Sequence, residues 1–402
     1  MKIALFHNVS NGGVKRAIYE QAKELIKRGH VVDAFIPTAD QEWFLPLDEV
    51  VSMKKSYAVK NIIPYINIKG FRIIYYYFTP WAQKRVQKRI AEDINKGQYD
   101  IAFVHQVVPT HGPFILRYLD IPAIYYLQDP LLRGLEYKLI EKQDNDSLNN
   151  LAHTLKESIN TFYAKTILLP IDRSNTKHAK RILVNSYYSH ESVLRAYGLN
   201  SYVCYLGVDT EKFKPLIDIS KENIILSVGR LHILKGFRFI LHSLAKVKQN
   251  IKKFKYVIIG DVNYVQEHRI LTELARKNNV DLEIKINISE AELIQYYNKA
   301  RLVVNASYAE PFGLVSLEAM SCGTPVVGVK EGGLREVIEH EKTGLLIDRD
   351  EQEFGEAVMY LFNNPRLCKE MGANARDVAI QKWSWAKATD RLLEHFNQVL
   401  EK

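Results

Sequence analysis

The sequence predicts an α/β protein with two Rossmann-like, doubly wound domains that face a central cleft. Three observations predict it: the length of 402 residues, the alternation of apolar strands with amphipathic helices, and a second start of that alternation after about residue 207. A chain of this length suits two domains of about 200 residues each. The alternation itself predicts parallel strands with helices on both faces of each sheet.

The first half of the chain begins with a strand, a helix and a second strand. Residues 2–6 form an apolar strand, residues 14–28 a helix that ends at Gly29, and residues 31–36 the next strand. The later strands are predicted at residues 100–104, 123–127 and 181–184. This order is typical of a parallel sheet.

The pattern restarts with a strand at residues 224–228 and a helix at 237–247. The later strands are predicted at residues 256–259, 302–306 and 325–329, and a terminal helix at 385–400. We therefore predict domains at residues 1–206 and 207–378, and a segment at 379–402 that returns to the first domain. Ligands of such sheets bind at the carboxyl ends of the strands, which favours a site in the cleft.

The composition is that of a globular protein, with 47% hydrophobic and 25% charged residues. Cys204, Cys322 and Cys368 are far apart and form no C-x-x-C pair, so neither a zinc site nor a disulfide framework is indicated. The short apolar run at residues 1–7 lacks the long h-region and the cleavage site of a signal peptide, so we expect none, and no apolar run reaches the roughly 18 residues that span a bilayer. We expect a cytoplasmic protein, with peripheral contact to the cytoplasmic membrane face left open.

The first loop ends in Gly12 and Gly13, between a strand and a helix. Two glycines let the backbone approach a ligand closely, and a helix N-terminus favours an anion. A tight turn between strand and helix also needs glycine, so a purely structural role is an equal alternative.

The second domain opens with Gly229 and Arg230, and Lys235 follows five residues after Arg230. Two cations on one loop can hold a diphosphate and stabilise the charge that builds on it as it leaves. Mg²⁺ often performs that role in other enzymes. The alternative is a pair of solvated basic residues on a loop.

The most specific string is Glu310-Pro-Phe-Gly313-Leu-Val-Ser-Leu-Glu318, which follows a predicted strand and enters a helix. Glu310 lies on the loop and Glu318 within the helix, so the two carboxylates can accept hydrogen bonds from two parts of a polyhydroxylated ligand. Backbone N–H groups near Gly313 and Leu314 can meet phosphate oxygens. A buried structural glutamate is the alternative for either residue.

These strings together resemble family four of the glycosyltransferases, whose members are retaining enzymes with the GT-B fold. The matching strings, in the family's order, are Gly12-Gly13, Asn185-Ser186, Gly207-Val208-Asp209, Gly229-Arg230 with Lys235-Gly236, Glu310-x7-Glu318 and Glu331-Gly332-Gly333. The second half matches densely, whereas residues 37–100 match little.

The resemblance implies catalytic roles for Arg230, Lys235 and Glu310. Arg230 and Lys235 would bind the donor diphosphate, Glu310 the transferred sugar, and Glu318 the ribose hydroxyls. The remaining implied donor contacts are Gly13, Gly229, Phe312, Gly313, Leu314 and Val315. The resemblance further implies a UDP-sugar or GDP-sugar donor, a glycan or lipid-linked acceptor held by the first domain, and no cofactor or metal in the chemical step.

One departure from the family concerns Gln128, which stands where many members carry a histidine. Glutamine can hydrogen-bond a sugar hydroxyl but cannot take a proton near neutral pH. His105 and His111 follow an earlier strand and could face the same cleft, although a lone histidine is more often structural. The predicted acceptor or sugar contacts are Gly12, His105, His111, Gln128 and Asp129.

Two D-x-D strings, Asp144-Asn-Asp146 and Asp348-Arg-Asp350, are the kind that hold Mn²⁺ or Mg²⁺ in metal-dependent glycosyltransferases. Both lie in polar stretches without a preceding buried strand. We therefore interpret them as solvated loop or cap residues.

Residues 51–91 combine nine basic residues with aromatic ones and contain no acidic residue. The basic ones are Lys54, Lys55, Lys60, Lys69, Arg72, Lys84, Arg85, Lys88 and Arg89. This composition suits an anionic membrane surface or a polyanion, while a solvated face over a buried aromatic core is the alternative. Nucleic acid is not favoured, because no recognised nucleic-acid module is present.

Two other functions compete with glycosyl transfer. A catalytically silent relative that binds a nucleotide sugar is supported by Gln128 and opposed by the intact set of Arg230, Lys235, Glu310 and Glu318. A dinucleotide-dependent oxidoreductase is disfavoured, because the first loop lacks a G-x-G-x-x-G string.

Overall fold

In the computed structural model of the chain, the structure describes residues 1–9, 12–38, 44–60, 71–130, 158–247, 253–260 and 264–401. The chain divides into two compact units. Unit 1 comprises Met1–Tyr205 and Ala388–Lys402, and unit 2 comprises Leu206–Lys387. Each unit is built on one parallel sheet, so the predicted fold class is confirmed.

The described part of unit 1 contains a seven-stranded parallel sheet in the order β3-β2-β1-β4-β5-β6-β7. The strands are β1 Lys2–Asn8, β2 Val31–Ile36, β3 Met53–Ser56, β4 Ile101–Val107, β5 Ala123–Tyr126, β6 Arg181–Val184 and β7 Tyr202–Val203. Its first helices are α1 Gly13–Lys27, α2 Phe71–Lys96, α3 Leu169–Thr176 and α4 Tyr187–Tyr197. One buried face of α2, with Ile90 and Ile94, packs on Phe6 and Val104 of the sheet.

Local sequence explains where these helices begin and end. Ser186 caps α4 by accepting a hydrogen bond from Ser189 N, and Gly198 ends the helix in a left-handed conformation (φ 65°). Helix α3 continues from helical residues 158–163 through a π-helical turn, Ala164–Leu168.

The described part of unit 2 contains a six-stranded parallel sheet in the order β10-β9-β8-β11-β12-β13. The strands are β8 Ile224–Val228, β9 Lys255–Gly260, β10 Leu282–Ile286, β11 Leu302–Asn305, β12 Val326–Val329 and β13 Gly344–Ile347. The helices are α5 Phe237–Val247, α6 Val265–Lys277, α7 Glu290–Lys299, α8 Leu314–Ser321, α9 Leu334–Val337, α10 Glu351–Asn363 and α11 Pro365–Trp383. Helix α12, Trp385–Leu400, completes the chain.

In both sheets the order of successive strands reverses in the middle, between β1 and β4 in unit 1 and between β8 and β11 in unit 2. In open α/β sheets, ligands bind outside the carboxyl ends of the strands at such a topological switch point. The fold therefore marks one candidate position in each unit: the loops after β1 and β4, and the loops after β8 and β11.

The C-terminal return to unit 1 begins at Ala388, whereas the sequence places it at residue 379. Ala379 and Trp383 are fully buried, and the Trp383 ring packs on Phe312 with centroids 5.7 Å apart, which holds the end of α11 in unit 2. In unit 1, Phe396 of α12 packs on Phe103 at 5.3 Å.

Candidate functional site

The switch point of unit 2 brings the loop after β8 close to the loop after β11. The two strands pair in parallel, Leu302 with Ile225 and Val303 with Leu226. Gly229 follows β8 with a φ of 153°, a value that favours glycine. A Cβ built on Gly229 would lie 3.4 Å from Lys235 Cδ, so the glycine backbone lies against the lysine stem. Arg230, the next residue, is exposed.

Lys235 and Glu310 form an ion pair in which Nζ donates to Oε2 at 2.8 Å. The two side chains keep 32% and 16% of their surface exposed, so the pair is half-buried but open to a ligand. The sequence predicts both residues for the same site, although 75 positions separate them, and the structure brings them together.

Gly236 positions this lysine by closing the single turn Ile233–Lys235 in a left-handed conformation (φ 68°). A Cβ on Gly236 would lie 2.1 Å from the Ala306 carbonyl oxygen, at the end of β11. In addition, Tyr308 N donates to Leu234 O at 2.8 Å. The lysine loop is therefore held directly against the loop that carries Glu310.

The glycines of the string Glu331-Gly332-Gly333 support the backbone of Glu310. Gly333 N donates to Glu310 O at 2.8 Å, and a Cβ on Gly332 would lie 2.3 Å from the same oxygen. Ala309, just before Glu310, adopts a positive φ of 49°, a strained conformation for a residue other than glycine. The close approach of two loops explains why glycines stand at this position.

Arg349 is a residue that the sequence reasoning missed. Its guanidinium makes two hydrogen bonds to Glu331, at 2.6 and 2.7 Å, and lies 3.8 Å from the centre of the Tyr308 ring. It also donates to the carbonyl oxygens of Ala306 and Ser307, at 3.0 and 3.2 Å. Arg349 thus fixes the loop between β11 and Glu310. The sequence marks only its neighbours, Asp348 and Asp350, as a D-x-D string.

Asp350 is an N-cap, as the sequence predicts for this D-x-D string. Its carboxylate accepts from Gln352 N and Glu353 N, and these hydrogen bonds lower the pKa of Asp350. Asp348 is exposed. Asp144 and Asp146 lie outside the described residues. Within the described ranges, no group of three or more His, Cys, Asp and Glu side chains is arranged to hold a metal ion.

Helix α8 carries Glu318 and begins at Gly313, which caps it with a φ of 112°. Its first intrahelical donors are Ser316 and Leu317, both bonded to Gly313 O, so the N–H groups of Leu314 and Val315 precede the helical ladder. Glu318 is 7% exposed and accepts a hydrogen bond from the Tyr297 hydroxyl at 2.8 Å.

The predicted donor contact at Phe312 lies in a different environment. Its side chain is 2% exposed and packs on Trp383, within the core of unit 2. Only the backbone of Phe312 is therefore available for a donor contact, and its side chain holds the loop against the core of unit 2.

The loops that follow β1, β4 and β5 in unit 1 carry four of the predicted acceptor contacts, namely Gly12, His111, Gln128 and Asp129. Gly12 caps α1 with a φ of 129°. His111 Nδ1 lies 2.8 Å from the Asp129 carbonyl oxygen, and because a carbonyl only accepts, Nδ1 carries the proton. Gln128 is 5% exposed, and its side-chain amide nitrogen is buried without a partner among the described residues.

His105 is fully buried in unit 1, and its environment favours the structural alternative. Its ring stacks on Tyr126 with centroids 5.6 Å apart and meets the Phe103 ring edge-on at 4.5 Å. Burial lowers the pKa of His105 to about 3, so the imidazole is neutral at physiological pH.

His7 and Lys15 are buried residues of the same region that the sequence reasoning did not single out. His7 lies at the end of β1, with Nε2 3.4 Å from Lys15 Nζ. Burial lowers the pKa of His7 well below its ordinary value, and the charge of Lys15 adds to that effect. No sequence motif marks this pair, because His7 and Lys15 are single polar residues at the end of a strand and within a helix.

Two family models match the chain. The model of Glycosyltransferase Family 4 matches residues 11–212, which is half of the chain, and that of glycosyl transferases group 1 matches residues 208–378. A D-inositol 3-phosphate glycosyltransferase of Thermobifida fusca is 24% identical over 412 residues, covering 97% of this chain and 89% of that protein. Proteins of the same name from Pseudarthrobacter chlorophenolicus and Saccharomonospora viridis are 29% and 26% identical. Those matches cover 44% and 55% of this chain and only 43% and 56% of the two relatives.

Solved structures show the same fold over the whole chain. Sucrose-phosphate synthase from Thermosynechococcus elongatus superimposes with a TM-score of 0.75 at 20% identity, covering 100% of this chain and 99% of that one. HepE of Anabaena in complex with UDP and glucose gives a TM-score of 0.71 at 19% identity, covering 99% of both chains. At these identities the likeness establishes the fold.

Proposed function

The chain belongs to glycosyltransferase family 4, and we propose that it transfers a sugar from a UDP-sugar or GDP-sugar to a glycan or lipid-linked acceptor, with retained anomeric configuration. The observation that carries the proposal is the convergence of Gly229, Lys235 and Glu310 at the switch point of unit 2. The relatives named D-inositol 3-phosphate glycosyltransferase support sugar transfer as the reaction class.

We assign the donor diphosphate to Arg230 and Lys235. A pyrophosphate beside Lys235 would share the ammonium with Glu310. The ammonium has three N–H donors, and one of them donates to that carboxylate. The N–H groups of Leu314 and Val315, at the start of α8, would add donors and the positive end of the helix dipole. These groups supply the positive charge that lets the proposed reaction proceed without a metal ion.

The two carboxylates take different parts of the donor in this proposal. Glu310 lies on the loop next to Lys235 and would accept hydrogen bonds from the transferred sugar. Glu318 is held within α8, and one of its oxygens accepts a hydrogen bond from Tyr297, which orients the carboxylate. We assign the remaining acceptor positions of this carboxylate to the ribose hydroxyls.

The proposed chemical step is a front-face displacement. The bond between the anomeric carbon and the phosphate oxygen breaks, the acceptor oxygen bonds to the same face, and the leaving phosphate oxygen takes the acceptor proton. Arg230 and Lys235 stabilise the charge on the departing diphosphate. Gln128 takes no proton in this route, so its replacement of a histidine is compatible with catalysis.

A catalytically silent nucleotide-sugar-binding protein is the second candidate. The observation that favours it is Gln128. Its buried amide lies just after the carboxyl end of β5, at a position where many family members carry a histidine. Donor binding without transfer or hydrolysis would identify this case.

The test is a transfer and hydrolysis assay with UDP-sugars and GDP-sugars in the presence of EDTA. UDP-glucose is the first donor to try, because HepE of Anabaena was solved in complex with it. We expect turnover by the wild type and its loss in Lys235→Ala. Lys246→Ala removes a lysine that is 45% exposed and paired with Glu351 on the surface, and it serves as the matched control. Equal turnover by both variants would contradict the proposed role of Lys235.

A further inference from the structure

An exposed basic and apolar face on unit 1 has no role in the proposed function. On α2, Phe78, Trp81, Arg85 and Lys88 follow one another at spacings of three, four and three residues, which places them along one side of the helix. Phe78 and Trp81 are 39% and 43% exposed, with ring centroids 5.7 Å apart. Arg85 and Lys88 are exposed as well.

A second helical segment, residues 158–163, lies against α2 at Tyr77, the residue before Phe78. The Tyr163 ring lies 4.4 Å from the Tyr77 ring, Tyr163 donates to Tyr77 O at 2.8 Å, and Tyr77 donates to Asn160 Oδ1 at 3.1 Å. Beside these contacts, Ile159 and Phe162 are 48% and 69% exposed. Two fixed elements therefore present four large apolar side chains to solvent.

The charge of this face is mainly positive, and exposed Glu92 lies four residues after Lys88 at the end of the same side of α2. Residues 77–91 and 158–171 contain no aspartate or glutamate, while Lys84, Arg85, Lys88, Arg89 and Lys165 are all exposed. The start of the basic stretch differs, because Lys54 pairs with Asp48, Lys55 pairs with Asp93, and Tyr57 is 5% exposed in the core. The interpretation as a solvated face over a buried aromatic core therefore fits residues 54–57, while Lys69 lies outside the described residues.

We propose that the face formed by Phe78, Trp81, Arg85, Lys88, Ile159 and Phe162 docks on an anionic phospholipid bilayer. Aromatic and aliphatic side chains enter the boundary between head groups and acyl chains, and cations beside them attract anionic lipid. A nucleic acid would use the cations but leave Ile159 and Phe162 in water, so the lipid surface accounts for more of the face. This inference goes beyond the proposed function and does not depend on it.

The experiment is co-sedimentation of the full chain with vesicles of phosphatidylcholine, with and without about 30% phosphatidylglycerol. We expect sedimentation only with the anionic vesicles and its loss at about 0.5 M NaCl, where charge attraction is screened. Arg85→Glu with Lys88→Glu lowers the partition coefficient about tenfold or more, since each basic residue at the surface contributes separately.

Two further variants make the result specific. Arg276→Glu with Lys277→Glu makes the same charge change on exposed residues of α6 and should leave vesicle binding unchanged. Trp81→Ser with Phe162→Ser keeps every charge and should weaken binding to anionic vesicles at low salt concentration. A thermal shift with UDP or GDP reports whether each variant retains a folded donor site, so failure of membrane docking and failure of the proposed function are seen separately.

Three outcomes would overturn the proposal. They are no sedimentation with anionic vesicles, equal loss in the α2 and α6 charge variants, and tighter binding to DNA than to vesicles through Arg85 and Lys88.

Discussion

Glu318 shows how one side chain can combine burial with ligand recognition. It is 7% exposed, yet it carries a carboxylate that accepts a hydrogen bond from the neutral hydroxyl of Tyr297. A carboxylate in this setting accepts several hydrogen bonds, so it suits a ligand that offers adjacent hydroxyls.

Replacement of Glu318 should therefore change which nucleotides bind. We expect the wild type to bind UDP or GDP about tenfold or more tightly than the 2′,3′-dideoxy analogue, because hydrogen bonds to a charged group contribute roughly 1.5–3 kcal/mol. Glu318→Gln should lose most of that preference, as measured by isothermal titration. Glu351→Gln makes the same change at a surface glutamate paired with Lys246, and as the control it should retain the preference. Unchanged discrimination in Glu318→Gln would remove the ribose role.

His105 offers a test of the structural alternative through pH. Burial lowers its pKa to about 3, whereas an exposed histidine titrates near 6.5, so below about pH 6.5 only the unfolded chain takes up the proton. The free energy of unfolding then falls by about 1.4 kcal/mol for each pH unit. Between pH 7 and 5, the wild type should lose about 2 kcal/mol more than His105→Phe in urea unfolding. Parallel losses in the two proteins would show that His105 is accessible to protons in the fold.

At the scale of elements, the lysine loop depends on Gly236 for two reasons, its left-handed backbone and its contact with Ala306. Gly198 has nearly the same φ, 65° against 68°, but a Cβ there meets no atom within 4 Å. A comparison of substitutions at these two glycines therefore distinguishes the cost of backbone strain from the cost of steric overlap.

We expect Gly198→Ala to cost about 1 kcal/mol of stability, from strain alone. Gly236→Ala adds a Cβ that overlaps the Ala306 carbonyl, so it should cost more and also weaken nucleotide binding by displacing Lys235. Urea midpoints and UDP or GDP affinities of both variants provide the comparison. If Gly198→Ala and Gly236→Ala changed the urea midpoint equally and the nucleotide affinity equally, the contact with Ala306 would not be what holds the lysine loop.

The elements that the sequence predicts correctly are the buried central strands, whose apolar runs stand out. The strands β3 and β10 were missed because they lie at sheet edges, where their residues are exposed or half-buried and lack an apolar run. The ion pair of Arg349 and Glu331 was missed for another reason. Its partners are 18 residues apart and meet only through the tertiary fold. Lys235 and Glu310 were found because each sits in a specific string.

At the scale of the whole molecule, two independent divisions of the chain fall close together. The compact units change between residues 205 and 206, and the two family models meet at residues 208–212. The sequence predicts the same region from the restart of the βα pattern and from Gly207. The end of unit 2 was harder to place, because the continuous helical segment from Pro365 to Leu400 is broken only near Ser384.

Among the described residues, no helix combines the length and the apolar composition needed to cross a bilayer. The proposed membrane contact lies on unit 1, and the proposed donor site lies within unit 2, so the two can be tested separately on the same chain.

The central claim is that unit 2 holds a nucleoside diphosphate through its own cations, without a metal ion. Isothermal titration of UDP and GDP into the full chain in EDTA tests it most directly. The account predicts saturable binding of one of them, unchanged by added Mg²⁺ and weakened about a hundredfold or more when Arg230→Ala and Lys235→Ala are combined. Binding that requires Mg²⁺, or that is the same in the double variant, would contradict the account.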